Sequence, residues 1–119
     1  MKLWLDDERD PSENYIKRYF GFEGDETWVK TSQEAINLLA SGKVKSISFD
    51  HDLGRGGGTG LQVAKWIEEQ AFHGNIPRLS WEIHSMNLVG RKDIHLAMTS
   101  AESFWNKSLV VQYSVSKDK

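Results

Sequence analysis

Two pairs of aspartates each follow an apolar run: Asp6 and Asp7 within "LWLDDERDP" (residues 3–11), and Asp50 and Asp52 within "SFDHDLGRGGGTG" (residues 48–60). Carboxylates gathered within a few ångströms repel one another, and their pKa values rise unless a cation compensates. A divalent metal is the economical compensation, and all-oxygen ligation with retained waters suits Mg²⁺ or Mn²⁺ better than zinc. Asp6, Asp7 and Asp50 are the candidate metal ligands, while Asp52 is the acid expected to point away. The plainer alternative is that one or two of these acids cap helices or face water.

Two histidines lie near the same clusters. His51 follows Asp50 directly, and His84 opens "HSMNLVGR" (residues 84–91). Imidazole titrates near neutral pH, so one of the pair can take a proton from water while the other delivers one to a departing oxygen. Metal ligation and structural hydrogen bonding are the competing roles. His73 and His95 fall at a helix exit and within a helix, as surface or packing residues. Ser85, Asn87 and Arg91 offer a hydroxyl, an amide and a guanidinium beside a helix start, a combination suited to phosphate oxygens. Arg55 is a second candidate, in a "GRGGG" loop whose unhindered amides can wrap an anion or simply form a flexible turn. No Gly-Lys-Ser/Thr follows, so the loop is not a P-loop.

These residues need a scaffold that gathers them. Apolar runs at residues 2–5, 26–30, 44–50 and 78–84 read as strands, and a fifth strand is expected at "SLVVQYSV" (residues 108–115). Between them, helix signals run over residues 11–21, from Thr31 or Ser32 to Gly42, from Leu61 to the break at "HGNIP", and from Val89 or Lys92 to Trp105. Strands alternating with helices at this pitch predict a parallel α/β sheet with helices on both faces. Such sheets bind ligands at the carboxyl ends of their strands. The clusters at Asp6, Asp50 and His84 all fall at those ends. The five tryptophans share helix or strand faces with other apolar residues and are expected in the core, not in a stacking platform.

At 119 residues, with 39% hydrophobic and 27% charged side chains, the chain suits one soluble domain over residues 1–119. It has no cysteine, which excludes disulfides, thiolate metal sites and cysteine nucleophiles, and makes the cytoplasm the expected compartment. The N-terminus resembles neither a signal peptide nor a membrane span. A net charge of −2 argues against an extended nucleic-acid surface but permits a local phosphate pocket. Oligomeric state leaves no trace in the sequence.

The clusters resemble a response-regulator receiver. Asp6 and Asp7 match its acidic pair, Asp50 its phosphorylated aspartate, Gly60 the glycine before its third helix and Ser85 its small hydroxyl residue. The chain departs from that pattern in lacking a proline in the loop after strand three and a lysine-proline ending after strand five. A narrower resemblance covers residues 2–105: "LWLDDERDP", "SFDHDLG", "TG" and "HSMNLVGR" are similar to the receiver-like family named for cyclic-phosphate processing. That resemblance implies a flavodoxin-like, doubly wound parallel sheet of about five strands in the order 2-1-3-4-5. It also implies a phosphoesterase opening a cyclic phosphate, a 2′,3′-cyclic phosphate of an RNA end or nucleotide. The partner is then a phosphate-containing small molecule or an RNA end, with neither a membrane nor an extended nucleic-acid surface. A receiver phosphorylated on Asp50 and a non-enzymatic nucleotide- or protein-binding module are the alternatives.

Overall fold

The apolar runs form four short strands, β1 (Lys2–Leu5), β2 (Thr27–Val29), β3 (Ser46–Phe49) and β4 (Ser80–Ile83), with alternating burial in β3 and β4 and three successive buried residues in β1. The computed structural model describes residues 1–11 and 26–117, with residues 108–117 as backbone only. The strands form one all-parallel sheet, as the alternating pattern predicts, in the order β2-β1-β3-β4 that the family resemblance implies for the first four. Leu3 lies beside Ile47, and Leu5 lies between Val29 and Phe49. This face joins a single buried core with the apolar sides of three helices, including Val63, Ile67, Ile94 and Met98. Full burial of such side chains contributes roughly 1.5–3 kcal/mol each. The opposite face places Trp4, Ser48 and Glu82 side by side.

The helices are α1 (Ser32–Ala40), α2 (Gly60–His73) and α3 (Leu88–Lys117). Thr31 caps α1 by accepting from the Glu34 amide, and Gly42 follows its end at φ 78°. A reciprocal capping box between Thr59 and Gln62 starts α2, and Gly74 ends it in the left-handed region at φ 69°. Gly60 is required there because a Cβ would overlap the Asp50 carbonyl. The amino end of α2 is thereby pressed against the carboxyl end of β3. The helix expected over residues 11–21 falls mostly outside the described residues.

The expected fifth strand is not present among the described residues, and the backbone of 108–117 continues α3 instead. Residues 106–117 contain neither glycine nor proline, so nothing stops a helix already nucleated on the core. The β-branched residues that suggest a strand express a preference that depends on neighbouring strands and is easily overridden. Trp4 and Trp105 are buried, while Trp66 and Trp81 pack partly buried against the core.

Candidate active site

The parallel ladder runs one residue past each strand. The Asp6 amide donates to Val29 O (3.0 Å), that of Asp50 to Leu5 O (2.9 Å) and that of His84 to Phe49 O (2.9 Å). Three polar residues therefore leave the sheet at one level, on adjacent strands. Asp6 is completely buried. Its Oδ1 accepts from the amides of Glu8 (2.9 Å) and Arg9 (2.8 Å), while its Oδ2 accepts from His84 Nε2 (3.0 Å) and Arg9 Nη1 (3.2 Å). The His84 ring lies flat on Trp4, centroids 3.8 Å apart, and its Nδ1 meets Ser48 Oγ at 2.8 Å. A proton on Nε2 serves the Asp6 contact, and the serine hydroxyl can either donate to Nδ1 or accept from it, so both contacts hold whether or not the ring carries a charge. Two indole N–H groups pin the turn after β1: Trp4 donates to Arg9 O (2.9 Å) and Trp28 to Asp6 O (2.6 Å).

Asp6, Asp7 and Asp50 each present a carboxylate oxygen within 4.8 Å of the others. Gly54, at φ 78°, makes room for this, because a Cβ there would lie 2.7 Å from Asp7 Oδ2. Burial pushes the Asp6 carboxyl upward, but hydrogen bonds from His84, Arg9 and Glu8 and the charge of His84 outweigh it, and its pKa is lowered. For Asp50, burial and the charge of Asp6 together outweigh the His51 amide bond and the fields of His84 and Arg9, so its pKa is raised. Asp50 is thus an under-compensated buried carboxylate beside two others. An all-oxygen donor set with excess negative charge fits Mg²⁺ or Mn²⁺.

A cleft of about 240 Å³ opens over these acids, lined by Asp7, Glu8, Arg9, Asp50, Asp52, Gly54, Ser85, Met86 and Asn87. Ser85 Oγ accepts from the Asn87 amide (3.1 Å), and Asn87 Oδ1 caps α3 by accepting from the Gly90 amide (2.9 Å). Asp52 borders the cleft, but its Oδ1 is turned onto the Gly54 amide (3.0 Å). His51 is half-buried beside the first turn of α3, with Nδ1 3.5 Å from Asn87 Nδ2 and its ring where a Gly90 Cβ would stand. His51 is not among the cleft-lining residues, whereas His84 is buried against Asp6, Ser48 and Trp4, so the two imidazoles occupy separate surroundings. Arg55 and Arg91 are exposed and outside the cleft lining. His73 and His95 are exposed, against Phe72 and Trp81 respectively. The glycine loop is a closed turn: Leu53 N donates to Gly58 O, Gly57 N to Gly54 O, and Gly60 N to His51 O.

The family described as the cyclic-phosphate processing receiver domain matches residues 1–100. The chain belongs to this family. Its match spans every described strand and all the cleft-lining residues. No curated protein and no solved structure gives a significant match. In this cyclic-phosphate processing receiver domain, Asp6, Asp7 and Asp50 converge, the first and last buried and Asp7 half-buried, with Ser85 and Asn87 lining the cleft beside them. The sequence pattern assigns no site role to Arg9 or Ser48, and it places Trp4 in the core alone. Arg9 could have been found from its spacing, three residues after Asp6 on the same turn. Ser48 carries a weaker signal, two residues before Asp50 in an otherwise apolar strand.

Proposed function

We propose that the cleft hydrolyses a cyclic phosphodiester, a 2′,3′-cyclic phosphate of a nucleotide or RNA end. The observation carrying this reading is the carboxylate cluster of Asp6, Asp7 and Asp50 beneath a polar cleft, in a member of a family named for cyclic-phosphate processing. Asp7 and Asp50 are the ligands assigned to Mg²⁺ or Mn²⁺, and Asp6 braces them. When bound, the cation supplies charge neutralisation for the phosphate oxygens. Ser85 and Asn87 orient the ester, and Arg91 and Arg55 serve from outside the rim, on the parts of a longer substrate that leave the cleft.

Hydrolysis forms one P–O bond to water and breaks one P–O bond to a ribose oxygen. The water loses a proton and the departing oxygen gains one. His51, half-buried and with Nδ1 3.5 Å from the amide of the cleft-lining Asn87, is assigned to proton transfer at one of these oxygens. His84 is held by Ser48, Asp6 and Trp4, contacts that suit it to orienting Asp6 and keeping it ionised. Phosphorus NMR of a 2′,3′-cyclic mononucleotide and of an oligonucleotide with a cyclic end, with and without chelator, tests the proposal. Conversion to the monoester that stops with chelator is expected; both substrates remaining intact would sink it.

Asp50 lining the same cleft as Ser85 favours a second reading, in which Asp50 accepts a phosphoryl group and alters a partner surface. That reading predicts acetyl-phosphate labelling abolished by Asp50→Asn, with cyclic esters untouched.

A further inference from the structure

The Asp6 carboxylate accepts four hydrogen bonds, as many as two ionised oxygens ordinarily take. Two come from backbone amides of its own turn and one from a buried histidine stacked on tryptophan. The fourth comes from Arg9 Nη1, on a side chain that is 28% exposed and borders the cleft. The same Nη1 stands 3.9 Å from Asp50 Oδ1. Arg9 therefore places its positive charge against two of the three clustered carboxylates.

The backbone of Arg9 is held firmly, its amide on Asp6 and its carbonyl on the Trp4 indole. Its guanidinium meets Asp6 at 3.2 Å and Asp50 at 3.9 Å, between the buried pair and the cleft that Arg9 lines. The cleft wall carries the acids Asp7, Glu8, Asp50 and Asp52 and, among its lining residues, one base, Arg9. A phosphate anion entering this cleft meets net negative charge. A divalent cation entering it meets attractive carboxylates and a like-charged guanidinium.

We propose that Arg9 is an exchangeable counter-ion: it neutralises Asp6 and Asp50 until a divalent cation takes over that task, then swings onto the phosphoryl oxygens of the substrate. The inference rests on reading the acid cluster as a cation site and deepens it. The planar fork of N–H donors suits phosphate as well as carboxylate, so the same group can serve both partners in turn. Cation and phosphate then bind with positive coupling, and by linkage each tightens the other by the same factor. Binding is ordered, the cation preceding the anion.

Calorimetric titration of the full chain with Mg²⁺, with and without inorganic phosphate, tests this in wild type, Arg9→Gln and Arg9→Lys. In wild type, phosphate without Mg²⁺ gives no binding heat, and phosphate tightens Mg²⁺ about tenfold, equivalent to roughly 1.4 kcal/mol of coupling. Arg9→Gln is expected to bind Mg²⁺ alone about 3–10-fold more tightly than wild type, with phosphate changing that affinity less than about twofold. Unaltered Mg²⁺ affinity and coupling in Arg9→Gln would overturn the role of Arg9 and leave the cation site standing. Failure of wild type and both variants to bind Mg²⁺ would overturn the cation site, and this inference with it. Thermal unfolding establishes that each variant is folded; if Arg9→Gln is not, Arg9→Lys decides. Lysine retains the charge without the fork, so coupling should fall at least about threefold, and coupling equal to wild type would refute the proposal.

Discussion

Asp6 and Asp50 begin with the same ordinary acidity on adjacent strands, and the fold moves them in opposite directions. Because the folded pKa of Asp6 is lowered, its ionised form stabilises the fold; that contribution is present above the ordinary value of 3.8 and disappears as pH falls through the folded value. The folded pKa of Asp50 is raised, so its ionisation opposes folding. This penalty is absent below 3.8, builds up between 3.8 and the folded value, and is fully present above it. Asp50→Asn is accordingly expected to raise the melting temperature of the metal-free protein at neutral pH by about 4 °C, what roughly 1 kcal/mol gives in a domain of this size. Thermal denaturation across pH checks it: the gain should vanish in acid. His84→Ala leaves Asp6 buried without its imidazole partner and should cost about 3–5 kcal/mol. In an Asp6→Asn background the same substitution should cost markedly less, measured by a double-mutant cycle in urea. Sequence reading identifies all three residue types as able to do chemistry. Their division of labour depends on burial and on Ser48 and Trp4, which sequence distance hides.

At the level of elements, the site depends on close approaches that permit no side chain. The His51 ring occupies the space where a Gly90 Cβ would lie, so Gly90→Ala must displace either the ring or the first turn of α3. A cost of about 1–3 kcal/mol is expected, with the His51 ring proton shifts changing more than those of His84, observable by NMR. The caps at Thr31 and Gly42 follow from local residue preferences, so the bounds of α1 are legible from the sequence. The fate of residues 108–117 is not, because strand preference requires a neighbouring strand and helix continuation requires only the absence of a breaker. Helical carbon chemical shifts over 108–117 are expected; shifts of strand sign would contradict the continuation of α3.

For the molecule as a whole, α3 sets the dimension. Thirty residues span about 45 Å, against a longest axis of 53 Å. No described helix is long and apolar enough to cross a membrane. If the acid cluster binds a cation, Mg²⁺ at a hundred times its dissociation constant should stabilise the fold by roughly 2.7 kcal/mol. That gain should be lost in Asp7→Asn with Asp50→Asn, measured by calorimetric melting. A local phosphate site in a chain of net charge −2 also implies weak salt dependence. The logarithmic slope for an oligonucleotide with a cyclic end should be about −1 to −2, against about −6 or steeper for an extended basic surface. Residue types, their order and the alternation of apolar runs determined the parallel α/β layout and placed the acids and histidines at strand ends, because periodicity and capping are local. Only the tertiary structure decided that Arg9 faces the acids, that His84 serves Asp6 and that Arg55 and Arg91 stand outside the cleft. Those outcomes depend on distances between segments far apart in the chain, which packing alone sets.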